Sequence, residues 1–162
     1  MIYAQRLLDR LGVYGHETHV VLSTYAQMVI KQELPNGLRL AKGIEKHGLK
    51  SMNAPFASGS NACDAMVVIP CTMGTMGRIA HGFADNVLLR AADVALKEKR
   101  KLILVTRETP LNLVQIKNME LLLLAGATNL PANPHFYFTP KTIDDATDGL
   151  LYTSHAADDP VD

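Results

Sequence analysis

Two short apolar runs lie in the stretch from Ala57 to Pro110, and each ends in small or polar residues. The first run, AMVVIP, ends at Pro70, and the second, LILVT, ends at Thr106. Runs of this length that are rich in β-branched residues are typical of strands buried on both faces of a parallel sheet. Helical patterns separate the two runs, so both strands should end at the same sheet edge, where open α/β sheets bind ligands.

The residues that follow each predicted strand suit a binding site. CTMGTMG follows the first strand from Cys71 to Gly77. Small residues there let the backbone approach a ligand closely, and hydroxyl groups can donate hydrogen bonds to it. Arg107 and Glu108 follow the second strand. They could simply pair with neighbouring residues, but their place at a strand's carboxyl end favours a functional role.

The rest of the chain alternates between helical and extended patterns. This alternation predicts one α/β domain at residues 1–150, with three α/β/α layers around a mainly parallel, Rossmann-like sheet. Residues 151–162 are predicted to be a divergent, disordered tail. Residues 34–50 are the least regular region, because Pro and Gly interrupt them. Helices are predicted at 2–11, 24–33, 74–81, 86–99, 112–125 and from 144, and further strands at 17–23 and 127–130.

Composition and charge exclude several classes of protein. Sixteen basic residues balance sixteen acidic ones, so no net field attracts nucleic acid or an acidic membrane surface. No apolar run approaches the roughly 20 residues that span a bilayer. Cys63 and Cys71 form no CxxC pair, which argues against a disulfide framework and favours a reducing cytosol. The six histidines show no metal-binding spacing, so no metal site is predicted.

Several separated motifs together carry a resemblance to one family. ASGS at 57–60, PCTMGT at 70–75 and ADNVLLRAADVALKEKRKLILVTRETP at 84–110 occur in the order of the flavin prenyltransferases. From Ile2 to about Asp145 the chain resembles these UbiX-like flavoproteins, which are related to the phosphopantothenoylcysteine and peptidyl-cysteine decarboxylases. The resemblance implies a cytoplasmic, metal-independent enzyme that transfers a dimethylallyl group from dimethylallyl phosphate to reduced FMN.

The resemblance also implies partners. Prenylated FMN would serve a partner UbiD-like decarboxylase, with ubiquinone biosynthesis as one setting. Family members form trimer-based homo-oligomers, often dodecamers, with sites between subunits, so an oligomer is expected here.

The family pattern assigns flavin contacts to residues that follow strands. Arg107 is implied to bind the flavin phosphate. Ser23 matches a flavin-contacting serine, and its hydroxyl could also cap the helix that begins at Thr24. The implied flavin-binding residues are Ser23, Cys71, Thr72, Met73, Gly74, Thr75 and Arg107.

The family pattern also assigns residues to the prenyl donor and to proton transfer. Arg90 and Lys97 are seven residues apart, hence on one helix face, and would neutralise the leaving phosphate; a solvated face is the alternative. Glu33 and Glu108 would manage protons, although a lone Glu such as Glu33 is more often a surface acid. The implied donor-binding residues are Ser58, Gly59, Arg90, Lys97 and Tyr137, of which Tyr137 could instead pack its loop onto the core.

The chain departs from the family at three places. A β-strand and a Gly-Ala-Ser-Gly loop precede the first helix in relatives, so the first strand is expected to be missing here. An incomplete sequence is favoured over a truncated relative, because losing a central strand would expose two strand edges. Met52 stands where some relatives have an aromatic residue, for which Phe56 could compensate. Thr153 stands where relatives have an arginine that binds the donor phosphate.

Two rival functions stay open at this point. One is a flavin-dependent cysteine decarboxylase on the same fold, but such enzymes carry an APAMN-type motif where this chain has VTRETP. The other is a non-catalytic FMN-binding regulatory subunit, which the missing glycine loop and late arginine favour.

Overall fold

The structure is a computed structural model that describes residues 1–134, 139 and 141–152. Tyr137, Thr153 and the rest of the predicted tail from residue 153 lie outside the described residues. The described part contains six α-helices and five strands. They are α1 Ile2–Tyr14, β1 Thr18–Val21, α2 Thr24–Glu33, β2 Ile44–His47, β3 Ala65–Cys71, α3 Met73–Ala80, α4 Val87–Lys97, β4 Lys101–Thr106, α5 Leu113–Leu124, β5 Thr128–Pro131 and α6 Ile143–Tyr152, with short 3₁₀ turns at Pro55–Ala57 and Gly59–Asn61.

Most of these elements follow the sequence pattern, and one does not. α2 has the predicted bounds, and α1 continues three residues beyond its predicted end to Tyr14. The prediction that residues 34–50 are irregular is wrong at Ile44–His47, which forms β2. Four residues with a single aliphatic side chain, between Gly43 and Gly48, are too few to show a strand period.

The strands form two parallel sheets in the described part of the chain, β1–β2 and β3–β4–β5. The prediction that the two apolar runs end at the same sheet edge is confirmed, because they pair in parallel with Ala65 opposite Lys101 and Cys71 opposite Thr106. No described strand joins β1 to β3. The expectation of a further first strand therefore stays a prediction.

Apolar side chains from β3, β4, α3, α4 and α5 form the largest core cluster. Met76, Leu102 and Leu104 have at most 1% of their surface exposed. α3 and α5 approach closely at Gly77, where an added Cβ would lie 3.1 Å from Nδ2 of Asn118. This packing fixes the loops that follow β3 and β4. None of the helices within the described ranges has the length and apolar character that crossing a membrane requires.

Candidate functional site

A cavity of about 850 Å³ lies between the two sheets. Residues 16–23 and 62–70 line it without a break. Side chains alternate between the two faces of a strand, so an unbroken lining means that the cavity meets the backbone edges of β1 and β3. Its volume falls within the range of about 300–1,000 Å³ that is usual for small-molecule sites.

Two helix N-termini meet the cavity at the carboxyl end of these strands. Ser23 caps α2, and its Oγ accepts a hydrogen bond of 3.0 Å from the Ala26 N–H. Thr72 caps α3, and its Oγ1 accepts one of 3.2 Å from the Thr75 N–H. These four residues line the cavity. Because a helix N-terminus carries partial positive charge and free N–H groups, this end of the cavity suits an anionic ligand such as a phosphate.

The loop after β3 divides into a core side and an open side. Burial raises the pKa of the Cys71 thiol to about 12, so this thiol is protonated and is not a nucleophile. Met73 also packs against the core. Gly74 is exposed, and an added Cβ there would meet nothing within 4 Å. Any contact of Cys71 with a flavin therefore falls to its backbone, whereas Gly74 leaves space for a ligand.

The backbone of Arg107 lies next to that of Thr72 at the carboxyl edge of the sheet. Thr72 and Arg107 directly follow Cys71 and Thr106, which are opposite each other in neighbouring strands. Neighbouring strands lie about 4.8 Å apart. Arg107 and Glu108 are exposed, and Glu108 Oε1 accepts a hydrogen bond of 3.3 Å from the Thr109 N–H. The predicted neighbourhood of the two strand ends is thus present in the backbone.

A second group of predicted residues lies along α4. Nε of Arg90 donates to the Ala57 carbonyl at 3.1 Å, and Nη1 donates to Asp93 Oδ2 at 3.1 Å. Nζ of Lys97 lies 3.0 Å from Glu98 Oε1. An added Cβ at Gly59 would collide with that Glu98 carboxylate and lie 3.1 Å from Lys97 Nζ. The fold therefore brings the turn of residues 57–59 against the face of α4 that carries both cations.

Both cations already have a carboxylate partner, but these ion pairs are accessible to water. The side chains of Asp93 and Glu98 are 39% and 37% exposed, and those of Arg90 and Lys97 are 37% and 59% exposed. Ion pairs this exposed contribute about 0–1 kcal/mol. A phosphate with two negative charges can therefore replace either carboxylate as the partner of Arg90 or Lys97 at a small cost in free energy.

One chain does not bring all the predicted residues together. Residues 98–100 join Lys97 to the first residue of β4, whereas Arg107 follows the last. Six strand residues span about 20 Å, so Lys97 and Arg107 lie at opposite ends of β4. Glu33 is ten residues beyond Ser23 along α2, which corresponds to about 15 Å. It pairs with the Met1 amino group.

The cavity lining shows the same separation. It contains Ser23, Thr72 and Thr75 but not Arg90, Lys97 or Arg107. The chain by itself thus presents two separate groups, one at the sheet edge and one on α4.

A polar cluster on β1 and β2 had no place among the predicted site residues. His19 and His47, which are 28 positions apart, lie with ring nitrogens 3.0 Å from each other. Their sequence spacing gives no signal, because only the pairing of β1 with β2 brings them together.

A model of the family described as "Flavoprotein" matches residues 1–147. Flavin prenyltransferase UbiX of Alkalihalophilus pseudofirmus is 43% identical, with 93% of this chain and 81% of that relative covered. The chain belongs to the flavoprotein family, among the UbiX flavin prenyltransferases. The resemblance that the sequence motifs indicated is therefore confirmed.

Solved structures of this flavoprotein family share the fold. A crystal structure described as "AnUbiX (PadA1) in complex with FMN and dimethylallyl pyrophosphate" matches with a TM-score of 0.89 and 39% identity, covering 94% of this chain and 82% of that one. A "dodecameric FMN-dependent Ubix-like Decarboxylase" from Escherichia coli O157:H7 matches with a TM-score of 0.87 and 40% identity, covering 92% and 82%. The predicted Rossmann-like α/β class is confirmed.

Proposed function

We propose that this flavoprotein is a flavin prenyltransferase that moves a dimethylallyl group from dimethylallyl phosphate to reduced FMN. The observation that carries the proposal is the likeness of about 40% to named flavin prenyltransferases over more than nine tenths of the chain. Reduced FMN, when bound, supplies the nucleophilic ring that accepts the prenyl group.

The carboxyl edge of the sheet has the donor groups that an FMN phosphate needs. The capped N-termini of α2 and α3 present backbone N–H groups to the same cavity. Gly74 leaves its approach open, and Arg107 starts beside Thr72. We assign FMN binding to Ser23, Arg107 and the loop of residues 71–75, with Cys71 and Met73 contributing backbone atoms.

The face of α4 has the groups that a departing phosphate needs. Arg90 and Lys97 offer a planar fork and a point charge, which bind a phosphate by charge-assisted hydrogen bonds. Ser58 and Gly59 lie next to them, in the turn whose Ala57 carbonyl accepts a hydrogen bond from Arg90. Neutralising the phosphate as its bond breaks lowers the barrier for leaving. Tyr137 keeps its predicted role as a donor to this phosphate.

Two carboxylates could manage protons. Glu33 and Glu108 are both exposed, and a carboxylate is a common general base. Glu108 adjoins Arg107 at the flavin end. Glu33, at the far end of α2 from Ser23, would act on a site of a neighbouring subunit.

We infer that the complete site forms between subunits of a homo-oligomer, with a trimer-based dodecamer as the expected state. The distance of about 20 Å along β4 prevents Lys97 from reaching a ligand beside Arg107 of the same chain. α5 also exposes large apolar side chains, as expected of a surface that another subunit covers. The E. coli relative is described as dodecameric. The exposed apolar residues of α5 include Leu113, Val114, Leu123 and Leu124.

The expected first strand suits the cavity between the sheets. An extended segment there could pair with the backbone edges of both β1 and β3. It would leave the end near Ser23 and Thr72 for the flavin phosphate. A UbiD-like decarboxylase as the user of prenylated FMN, and a cytosolic location that suits the free Cys63 and Cys71, remain proposals.

The deciding experiment is anaerobic incubation of the purified protein with reduced FMN and dimethylallyl phosphate, followed by mass spectrometry of the flavin. A parallel incubation uses dimethylallyl pyrophosphate. A prenyl mass increment on the flavin is the expected result. Bound but unmodified FMN would instead support the regulatory subunit, and consumption of a peptidyl-cysteine or phosphopantothenoylcysteine would support the decarboxylase.

A pair of lysine variants tests the role of α4 in the same assay. Lys97→Gln removes a charge-assisted contact of about 1.5–3 kcal/mol, so prenyl transfer should slow by about 10- to 100-fold. Lys101→Gln removes the same charge from an exposed position at the start of β4 and should change the rate by less than about twofold. Equal rates for the two variants would remove Lys97 from the mechanism.

A further inference from the structure

Two histidines and a glutamate converge on the β1–β2 sheet. The Nδ1 of His19 lies 3.0 Å from the Nε2 of His47. Oε2 of Glu45 lies 3.6 Å from that His19 nitrogen and 3.7 Å from that His47 nitrogen. Three potential ligand atoms thus surround one point.

The strand register explains the convergence. His19 is directly opposite Glu45, and His47 is two positions further along β2, opposite Val21. Residues two apart on a strand point to the same face, and residues opposite each other in paired strands share a face. The three side chains therefore share one face of the sheet because of backbone pairing, which holds them at fixed spacing.

The triangle formed by the three atoms fits a metal ion. Sides of 3.0, 3.6 and 3.7 Å enclose a point about 2.0 Å from every corner, which is close to Zn–N and Zn–O bond lengths of about 2.0–2.2 Å. An ion slightly above this plane would keep such bonds and have a fourth position free. Two imidazoles with one carboxylate favour zinc and similar transition metals over Mg²⁺ or Ca²⁺, which prefer oxygen ligands.

Further neighbours support these ligands. Oε1 of Glu17 lies 3.4 Å from Nε2 of His19, the ring nitrogen that faces away from the cluster. A carboxylate at the second nitrogen of a metal-binding histidine holds the ring and its tautomer. The histidine side chains are only 13% and 16% exposed, whereas Glu45 is 67% exposed. An ion would thus be bound by the two largely buried histidines and would be accessible to solvent on the side of Glu45.

We propose that His19, Glu45 and His47 bind a divalent transition-metal ion with the coordination chemistry of Zn²⁺. The ion joins β1 to β2. It also stiffens the neighbouring turn, because the ring of the buried Phe56 lies 5.3 Å from His19 and 5.1 Å from His47 between ring centres. This turn ends at Ala57, whose carbonyl accepts the Arg90 hydrogen bond. The proposal concerns structural stability and does not depend on the prenyltransferase reaction.

The first test measures binding to the full chain. Protein freed of metal by a chelator is titrated with Zn²⁺ by calorimetry, and with Co²⁺ while its visible absorption is recorded. We expect one equivalent per chain, a Co²⁺ spectrum of tetrahedral type, and no comparable binding of Mg²⁺.

Variants locate the site. His47→Gln should weaken Zn²⁺ binding by at least 100-fold, and Glu45→Gln, at an exposed position, by at least 10-fold. His81→Ala is the control. His81 is exposed at the C-terminal end of α3, outside β1 and β2, and its Nε2 lies 3.2 Å from Asn118 Oδ1. Its loss should leave Zn²⁺ binding unchanged.

The proposal is overturned if the wild-type chain takes up no stoichiometric Zn²⁺, or if Glu45→Gln and His81→Ala bind it equally well. Either outcome would mean that His19 and His47 simply share one hydrogen bond. A rise in melting temperature with Zn²⁺ in the wild type, which Glu45→Gln reduces, gives a second readout, since an ion bound only to the folded state stabilises it.

Discussion

The two sheets of this protein differ in how they are buried. In β4 the side chains of Leu102 and Leu104 are at most 1% exposed, and residues of α3, α4 and α5 contribute to the same core. In β1 and β2 no residue is fully buried, and Glu45 and Lys46 are exposed. The three-stranded sheet thus supplies apolar burial, while the two-stranded sheet carries a polar cluster. Apolar burial therefore stabilises the three-stranded half, whereas the proposed metal ion would stabilise the two-stranded half.

The largest expected effect is the loss of a core side chain from the three-stranded sheet. Leu104→Ala should lower the free energy of unfolding by about 2–5 kcal/mol, because it leaves a cavity in a tightly packed site. Val20→Ala in half-buried β1 removes less buried surface and should cost about 1 kcal/mol. Urea unfolding of both variants measures the difference. Equal losses would contradict the contrast between the sheets.

The second effect is on the free energy of unfolding at alkaline pH, and it comes from Cys71 in the three-stranded sheet. Burial raises the pKa of its thiol from 9.0 to about 12 in the folded protein. The raised pKa means that its contribution is intact below pH 9 and is lost as the pH rises toward 12. In that window Cys71→Ala should reduce the decline of unfolding free energy by up to about 1.4 kcal/mol per pH unit.

Cys63 provides the control for this measurement. Its pKa is also raised, first by partial desolvation and then by the carboxylates of Asp64 and Glu17, but unlike Cys71 its side chain is in contact with solvent. Cys63→Ala should therefore change the alkaline slope less than Cys71→Ala. The opposite order would show that the buried thiol is not what couples the core to pH.

The smallest effect on stability is expected at Gly74, where the same substitution at two places in α3 separates ligand space from packing. Gly74→Ala should leave unfolding within about 0.5 kcal/mol of wild type or stabilise it slightly, as Gly→Ala does in helices. Gly77→Ala places its Cβ against Asn118 and should destabilise by about 1 kcal/mol.

Flavin titration by fluorescence completes the test. Gly74→Ala should weaken FMN binding despite its intact fold, because the added methyl group lies on the open side of the α3 N-terminus. Unchanged FMN affinity in Gly74→Ala would argue that no ligand approaches this loop.

The sequence predicts the three-stranded half well and the two-stranded half poorly, for a physical reason. β4 has buried residues on both faces and the middle of β3 is buried or half-buried, so their residues form continuous apolar runs that are visible without a structure. β2 is short and half exposed, so it has too few residues to show the alternation of apolar and polar side chains that is typical of a strand. The predicted cap at Ser23 follows a local rule, and the structure shows it.

The sequence predicts the site less completely than the fold. Motifs identify Arg90, Lys97 and Arg107 together, but helix direction decides that Lys97 and Arg107 lie at opposite ends of β4. This separation follows from the three-residue connection of α4 to β4 and is within reach of sequence reasoning. The meeting of His19 with His47 is not, because it depends on the register between two strands and one of them has no recognisable pattern.

The pairing of Cys71 with Thr106 in neighbouring strands limits how the sequence of such a site can vary. The gap between the loops that follow them is set by the ladder of peptide hydrogen bonds, which is indifferent to the side chains of those loops. Substitutions in either loop can therefore change which ligand is accepted without altering the spacing of the two attachment points. A one-residue deletion within β4, by contrast, would retract Arg107 by about 3.3 Å and turn it to the other face of the sheet, so the loops tolerate variation that the strands do not.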